Sequence, residues 1–113
     1  MKHSLLLLSL LAFASQADTL TVRWTPPTTR VDGTALPSTE IAGYRLEWTV
    51  KGVPQSDKVV TGAVSTYTLD TGTLSGRTCV TLYTQDTDGL ESAPAQTACR
   101  NAKPNPPTGV TVK

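Results

Sequence analysis

Two cysteines are the residues of this chain whose type and spacing predict a definite chemistry. Cys79 and Cys99 are equidistant from Gly89, which lies in the turn-forming stretch DTDGLE. Antiparallel pairing about that turn would put the two cysteines opposite each other, with Cβ atoms about 4.5 to 5.5 Å apart. That distance is close to the reach of a disulfide. We predict a structural disulfide on the solvent side of the sheet, with no redox or metal-binding role.

The stretch DTDGLE also carries three acidic residues. Asp86, Asp88 and Glu91 partly fit the spacing of a calcium-binding loop, but Asp and Gly are also the ordinary residues of a hairpin turn. We favour the hairpin interpretation and predict no metal site. Asp86 and Asp88 are still candidate binding-surface residues. Tyr83 joins them, since we expect its ring to face outward, where it could contact a glycan or a protein.

The first 17 residues have the pattern of a signal peptide. Lys2 precedes an apolar run that ends at Phe13, and small residues follow up to Ala17. The run is shorter than the roughly 20 apolar residues that cross a bilayer, so we predict no membrane span. We expect cleavage near Ala17, a mature chain from Asp18, and a secreted or periplasmic protein in which the disulfide can form.

Cleavage would also remove His3, the single histidine of the chain. A chain without imidazole cannot use Ser-His-Asp or Cys-His catalysis or histidine-ligated zinc. No inward-facing carboxylate stands out on the predicted strands as part of a glycosidase pair. We therefore predict no enzyme activity and no cofactor. The scattered charges and the formal net charge of +1 also argue against a nucleic-acid partner.

The elements that must position these residues are six short strands. Alternation of apolar and polar residues in TLTVRW and IAGYRLEWTV has a period of two, which is typical of half-buried strands. The predicted strands are 19–24, 41–50, 58–61, 65–69, 77–85 and 94–100. The side chains that this pattern turns inward are Leu20, Val22, Trp24, Tyr44, Leu46, Trp48, Val50, Tyr67, Leu69, Val80 and Leu82. We predict a single antiparallel β-sandwich over residues 18–102.

One loop is long for such a small domain. TPPTTRVDGTALPSTE connects the first two strands, and loops of this length are often functional. Because loops at the ends of sandwiches carry recognition in related architectures, partner binding is one interpretation. A tolerated insertion is the other, and the sequence leaves both open.

Four stretches carry a resemblance to a known family. LTVRWTPP, IAGYRLEW, STYTLDTGTLSG and DTDGLESAPAQ resemble strands B, C, E and the F–G region of a fibronectin type III domain. The resemblance implies an immunoglobulin-like antiparallel sandwich, but this fold serves many functions. We expect an exported, non-catalytic binding or structural module, acting in protein–protein interaction or surface assembly. The alternative is a carbohydrate-binding accessory protein or a small carbohydrate-active enzyme.

Residues 103–113, KPNPPTGVTVK, form a Pro-rich linker and a tail. The tail resembles strand A of the same family, which has no counterpart before residue 19. Three interpretations stay open: a flexible remnant, a strand that folds back onto its own domain, and a strand donated to a neighbouring copy. If the tail is ordered, we expect an edge strand in which Val110 and Val112 share a face. Donation would give head-to-tail self-association.

Overall fold

The computed structural model describes residues 18–72 and 74–113. The predicted signal peptide, residues 1–17, lies outside the described residues. The described part consists of strands joined by loops, with one short 3-10 turn at Ser38–Glu40, so the predicted all-β class is confirmed. None of its helical residues forms a segment long and apolar enough to cross a bilayer. The strands are β1 (Asp18–Arg23), β2 (Ile41–Val50), β3 (Val53–Pro54), β4 (Lys58–Thr61), β5 (Thr66–Gly72), β6 (Thr78–Asp86) and β7 (Ala98–Arg100).

The strands form two antiparallel sheets. The first sheet contains β1 and β5, with Leu20 opposite Leu69. In the second sheet β2 is central, with β6 along one side and β3 and β4 along the other. β7 extends this sheet beyond β6. The antiparallel pairing expected from the sequence is therefore confirmed.

The core lies between the two sheets, because the alternation of each strand turns its apolar residues towards the opposite sheet. Leu46 of β2 and Leu69 of β5 are completely buried. The Trp48 indole is buried as well, and its Nε1–H donates to the backbone oxygen of Ser56 at 2.9 Å. The core cluster contains Leu46, Trp48, Val50, Leu69 and Val80, with Leu20, Val22, Tyr67 and Leu82 packed against it. The sheets thus form a β-sandwich-like layer pair.

Two elements differ from the sequence expectation. Strand β3 is an addition, formed because Lys51 and Gly52 both adopt positive φ angles, 53° and 78°, and close a tight hairpin after β2. Strand β7 pairs only from Ala98 to Arg100, although we predicted a strand from residue 94. Pro94 cannot donate to a ladder. Ala95 donates one backbone hydrogen bond to the oxygen of Leu82 in β6, at 2.9 Å, but residues 94–97 form no continuous ladder.

Candidate functional site

A cleft of about 550 Å³ opens at one end of the sandwich, beside the long loop that joins β1 to β2. Its lining is mostly apolar and comes from distant parts of the chain. Trp24 follows β1, Tyr44 lies on β2 and Leu82 lies on β6, all at inward positions. Leu36 lines it from the loop, and Leu90 and Ala95 line it from the segment between β6 and β7.

The aromatic side chains of the cleft pack against each other. Trp24 and Tyr44 meet edge to face, with ring centroids 5.0 Å apart and planes at 60°. Tyr44 is only 1% exposed. Within the described residues, neither the Trp24 indole N–H nor the Tyr44 hydroxyl has a hydrogen-bond partner. An unpaired buried polar group costs about 1 to 3 kcal/mol, so the lining holds two hydrogen-bonding groups that the rest of the chain leaves unused.

Arg30 fixes the loop that forms one wall of the cleft. Its Nη1 contacts Asp86 Oδ2 at 2.8 Å, and its Nη2 contacts Glu40 Oε1 at 2.9 Å. The other oxygen of Asp86 accepts hydrogen bonds from the backbone N–H groups of Asp88 and Leu90. Arg30, followed by these backbone donors, lowers the pKa of Asp86 below its ordinary value. One buried carboxylate thus holds both the loop and the β6 hairpin turn.

The outer face of the second sheet carries a separate ionic cluster around Arg45. The Arg45 guanidinium lies 4.0 Å above the centre of the Tyr83 ring and pairs with Glu91 through two nitrogens, at 2.9 and 2.8 Å. It also contacts Glu47 and Asp57. The Tyr83 hydroxyl donates to Glu47 at 2.6 Å, and this bond raises the pKa of Tyr83. Arg45, with help from Gln85, lowers the pKa of Glu91 to about 2.

These contacts locate the candidate residues named from the sequence. Tyr83 lies on the outer face, but Arg45 covers its ring, so the ring is not an open platform. Asp86 is 7% exposed and lines the cleft, whereas Asp88 is exposed at the hairpin tip. The binding role expected for these three residues stays a prediction. Because Asp86 turns towards Arg30 and Glu91 towards Arg45, the acidic residues of this turn do not converge.

The described part of the chain contains no group of three or more His, Cys, Asp or Glu residues arranged to hold a metal ion. The predicted disulfide is confirmed: Cys79 and Cys99 are directly opposed in the β6–β7 ladder, with Cα atoms 4.0 Å apart. Cys99 is exposed and Cys79 half-buried, which fits the outer face. The disulfide therefore links β7 to β6 on the solvent side of the sheet.

Val110 and Val112 belong to no strand of the described chain. They are exposed by 77% and 95%, and the whole stretch from Asn101 to Lys113 is exposed. Their role as an edge strand stays a prediction. The sequence does not predict the cleft, because Leu36 and Leu90 lie in loops without periodicity and Ala95 lies in a stretch that we expected to be a strand. One signal was present, since Trp24 and Tyr44 were both assigned to inward faces at the same end of adjacent predicted strands.

No protein-family model matches this chain, and no curated protein matches it. What the chain does must therefore be inferred from the cleft and its surroundings.

Proposed function

We propose that this chain is an exported, non-catalytic interaction module on a fibronectin type III-like sandwich, and that the cleft binds an extended polypeptide segment. The observation that carries the proposal is the aromatic lining formed by Trp24 and Tyr44 in an apolar cleft of about 550 Å³. Grooves lined by aromatic side chains suit extended, Pro-containing peptides, because the peptide is already rigid before it binds.

Two further observations support the fold type and the compartment. The pairing of β1 with β5 in one sheet, and of β6 with β2 and β7 in the other, agrees with the strand arrangement implied by the fibronectin type III resemblance. The Cys79–Cys99 bridge suits an oxidising compartment, as expected for a secreted or periplasmic protein.

A polypeptide ligand is favoured over a glycan by the chemistry of the two surfaces. Most of the lining surface of the cleft is apolar, and its charged side chains are already engaged, since Arg30 pairs with Asp86 and Glu91 pairs with Arg45. On the outer face, Arg45 lies over Tyr83 and Glu47 takes its hydroxyl, so the aromatic group best placed for a sugar is already engaged. Carbohydrate binding is the second candidate function, and the glycan array in the test below decides it.

The test is a titration of the ¹⁵N-labelled secreted protein with a panel of Pro-containing extended peptides, alongside a glycan array. We expect shift changes centred on Trp24, Tyr44 and Leu82. Leu90→Glu should abolish them, since Leu90 is 65% exposed in the cleft lining. Val59→Glu is the matched control, because Val59 is 69% exposed on β4, outside the cleft. Glycan binding that depends on Tyr83, with no peptide response, would overturn the proposal.

A further inference from the structure

We infer that the occupant of the cleft is the tail of a second copy of this chain, with residues 106–113 adding an antiparallel strand to the free edge of β1. This inference rests on the proposed function, because it names the partner of the same cleft. Four features carry it: an open backbone edge, an open side of the core, an apolar tail without contacts, and the direction in which the tail leaves its own domain.

The open edge belongs to β1, which pairs only with β5 among the described residues. The Trp24 N–H donates to the oxygen of Ser65 at 3.0 Å. Antiparallel ladders alternate, so Val22 and Leu20 also direct their backbone groups to β5, and Thr21 and Arg23 direct theirs away. These outward N–H and C=O groups are the free ladder positions. Unpaired edges of this kind readily accept another strand.

The open side of the core lies next to that edge. Leu20, Val22 and Leu82 point inward but are only half-buried. Ala98 of β7 is opposite Val80 and shares its inward face, yet it is exposed. The reason is that the first sheet has two strands whereas the second extends out to β7. A third strand beside β1 would cover these side chains.

The tail has the pattern that this gap requires. Val110 and Val112 share one face and are almost fully exposed, while Thr111 points the opposite way. In the register that sets Thr111 opposite Thr21, the N–H and C=O groups of these two threonines can pair. Gly109, Thr111 and Lys113 would then direct their N–H groups to β1, and none of these three is a proline.

The same register matches the side chains. Val110 would lie opposite Val22, and Val112 opposite Leu20, so both valines would face the open core. Pro106 and Pro107 would extend past Trp24, where the aromatic cleft begins. Prolines cannot donate a backbone hydrogen bond to a ladder. In this register they lie beyond the end of β1, where no backbone hydrogen bond to β1 is required.

The direction of the tail means that an antiparallel strand beside β1 requires a second copy, whereas within its own copy the tail could pair only parallel to β1. Arg100 Nη1 donates to the Thr19 oxygen at 3.2 Å, and Lys103 Nζ contacts Asp18 Oδ1 at 2.6 Å. The tail therefore leaves its domain at the start of β1, whereas an antiparallel strand must begin at the opposite end, near Trp24. That distance is about 20 Å along six residues, and the five residues KPNPP reach at most about 17 Å before the chain must also turn back.

A neighbouring copy removes this difficulty. A tail that leaves one domain at the start of β1 can enter the next domain at the Trp24 end without reversing. The contact is head-to-tail, because the cleft of one copy receives the tail of another. Repetition of the contact would build open chains whose length depends on concentration.

Sedimentation velocity on the full secreted chain, from micromolar to millimolar concentration, tests the inference. We expect association that Val110→Asp weakens by about tenfold or more, because a buried valine would become a charged residue. Thr111→Asp is the matched control, with the same added charge on the solvent side, and should change the association constant by less than about twofold. Equal effects of the two variants would overturn the proposed register and strand.

Mixing two variants tests the head-to-tail geometry. Leu90→Glu has a blocked cleft and an intact tail. Val110→Asp has an intact cleft and a tail that cannot bind. Each should be monomeric alone, and the mixture should give a 1:1 dimer that does not grow. A mixture that stays monomeric, while the unchanged chain associates, would overturn the contact.

Failure of this inference can be told apart from failure of the proposed function. A full chain that stays monomeric, together with a synthetic peptide KPNPPTGVTVK that leaves the spectrum of the protein unchanged, would exclude the tail as occupant. The titration with the peptide panel would then decide whether the cleft binds any extended polypeptide. If other peptides bind, only the partner is wrong; if none binds, the cleft proposal fails as well.

Discussion

Arg30 and Arg45 each hold carboxylates from separate parts of the chain, but on opposite faces of the second sheet. Arg30 joins the long loop to Asp86 beside the cleft, and Arg45 joins β2 to Glu91 on the solvent side. Arginine suits both positions because its planar group donates to two carboxylates at fixed angles. The two clusters fix the hairpin between β6 and β7 from both sides.

The Arg45 cluster predicts an acid-sensitive part of the stability. The pKa of Glu91 is about 2 in the folded chain, below its ordinary 4.5, so the unfolded chain binds the proton first. The contribution of Glu91 is therefore fully present above about pH 4.5 and is lost as the pH falls towards 2. Glu47 and Asp86 shift in the same direction.

Thermal melts from pH 7 to pH 2 test this contribution. We expect Glu91→Gln to lower the melting temperature at pH 7 and to reduce its fall below pH 4.5. The control is Asp88→Asn, since Asp88 has no ion pair among the described residues. If the melting temperature of Glu91→Gln falls below pH 4.5 as steeply as that of the unchanged chain, Glu91 does not cause the acid sensitivity.

The Cys79–Cys99 bridge predicts a larger effect. It joins residues separated by 20 positions, and closing a loop of that length stabilises the fold by roughly 3 kcal/mol in the chain-entropy model. We expect denaturant unfolding under reducing conditions to show a loss of about that size. The double variant Cys79→Ala/Cys99→Ala should be equally destabilised and should not respond to the reductant. A variant that still responds would show that the reductant acts elsewhere.

At the level of elements, the strands follow from local sequence and the cleft does not. The alternation in β2 assigns Tyr44, Leu46 and Trp48 to one face without knowledge of their neighbours, and all three are buried. The opposition of the cysteines was expected from the turn alone, but the register shifts by two residues between the hairpin, where Gln85 is opposite Glu91, and β7, where Cys79 is opposite Cys99. Ala98 shows what local sequence cannot predict. The alternation of β7 assigns Ala98 to the inward face, but its exposure depends on how far the other sheet extends.

Strand β4 is predicted to depend on a single glycine of β2. A side chain at Gly43 would collide with the backbone oxygen of Val60, where β4 pairs with β2 next to an irregular register. Gly43→Ala should cost about 1 to 3 kcal/mol of stability, as overpacking does. It should also increase hydrogen exchange at Val60, whose N–H faces β2 in the hydrogen-bonded pair with Tyr44.

The control for this prediction is Gly33→Ala. Gly33 has open space around it but a φ of +88°, so alanine there should cost only about 1 to 2 kcal/mol of left-handed backbone strain. Hydrogen exchange in β4 should not change in this variant. Normal protection of Val60 in Gly43→Ala would contradict the close approach of the two strands.

For the whole molecule, the main feature is a core that is closed at the centre and open towards β7. Leu46 and Leu69 are completely buried, whereas Leu82 of the neighbouring strand is only half-buried and Ala98 is exposed. The stability of a single copy should therefore come from the side of the sandwich where β2 faces β5. The side between β1 and β7 is the place where we propose that the tail of a second copy binds.

Alanine substitutions at low micromolar concentration test this asymmetry. Leu46→Ala should cost about 2 to 5 kcal/mol, because it leaves a cavity in a closed core. Leu82→Ala should cost clearly less in a single copy, since part of the lost surface is already in water. Its cost should rise with protein concentration if a second copy covers the gap, because binding stabilises only the folded chain. Equal costs for the two leucines at every concentration would mean that the core is closed on both sides.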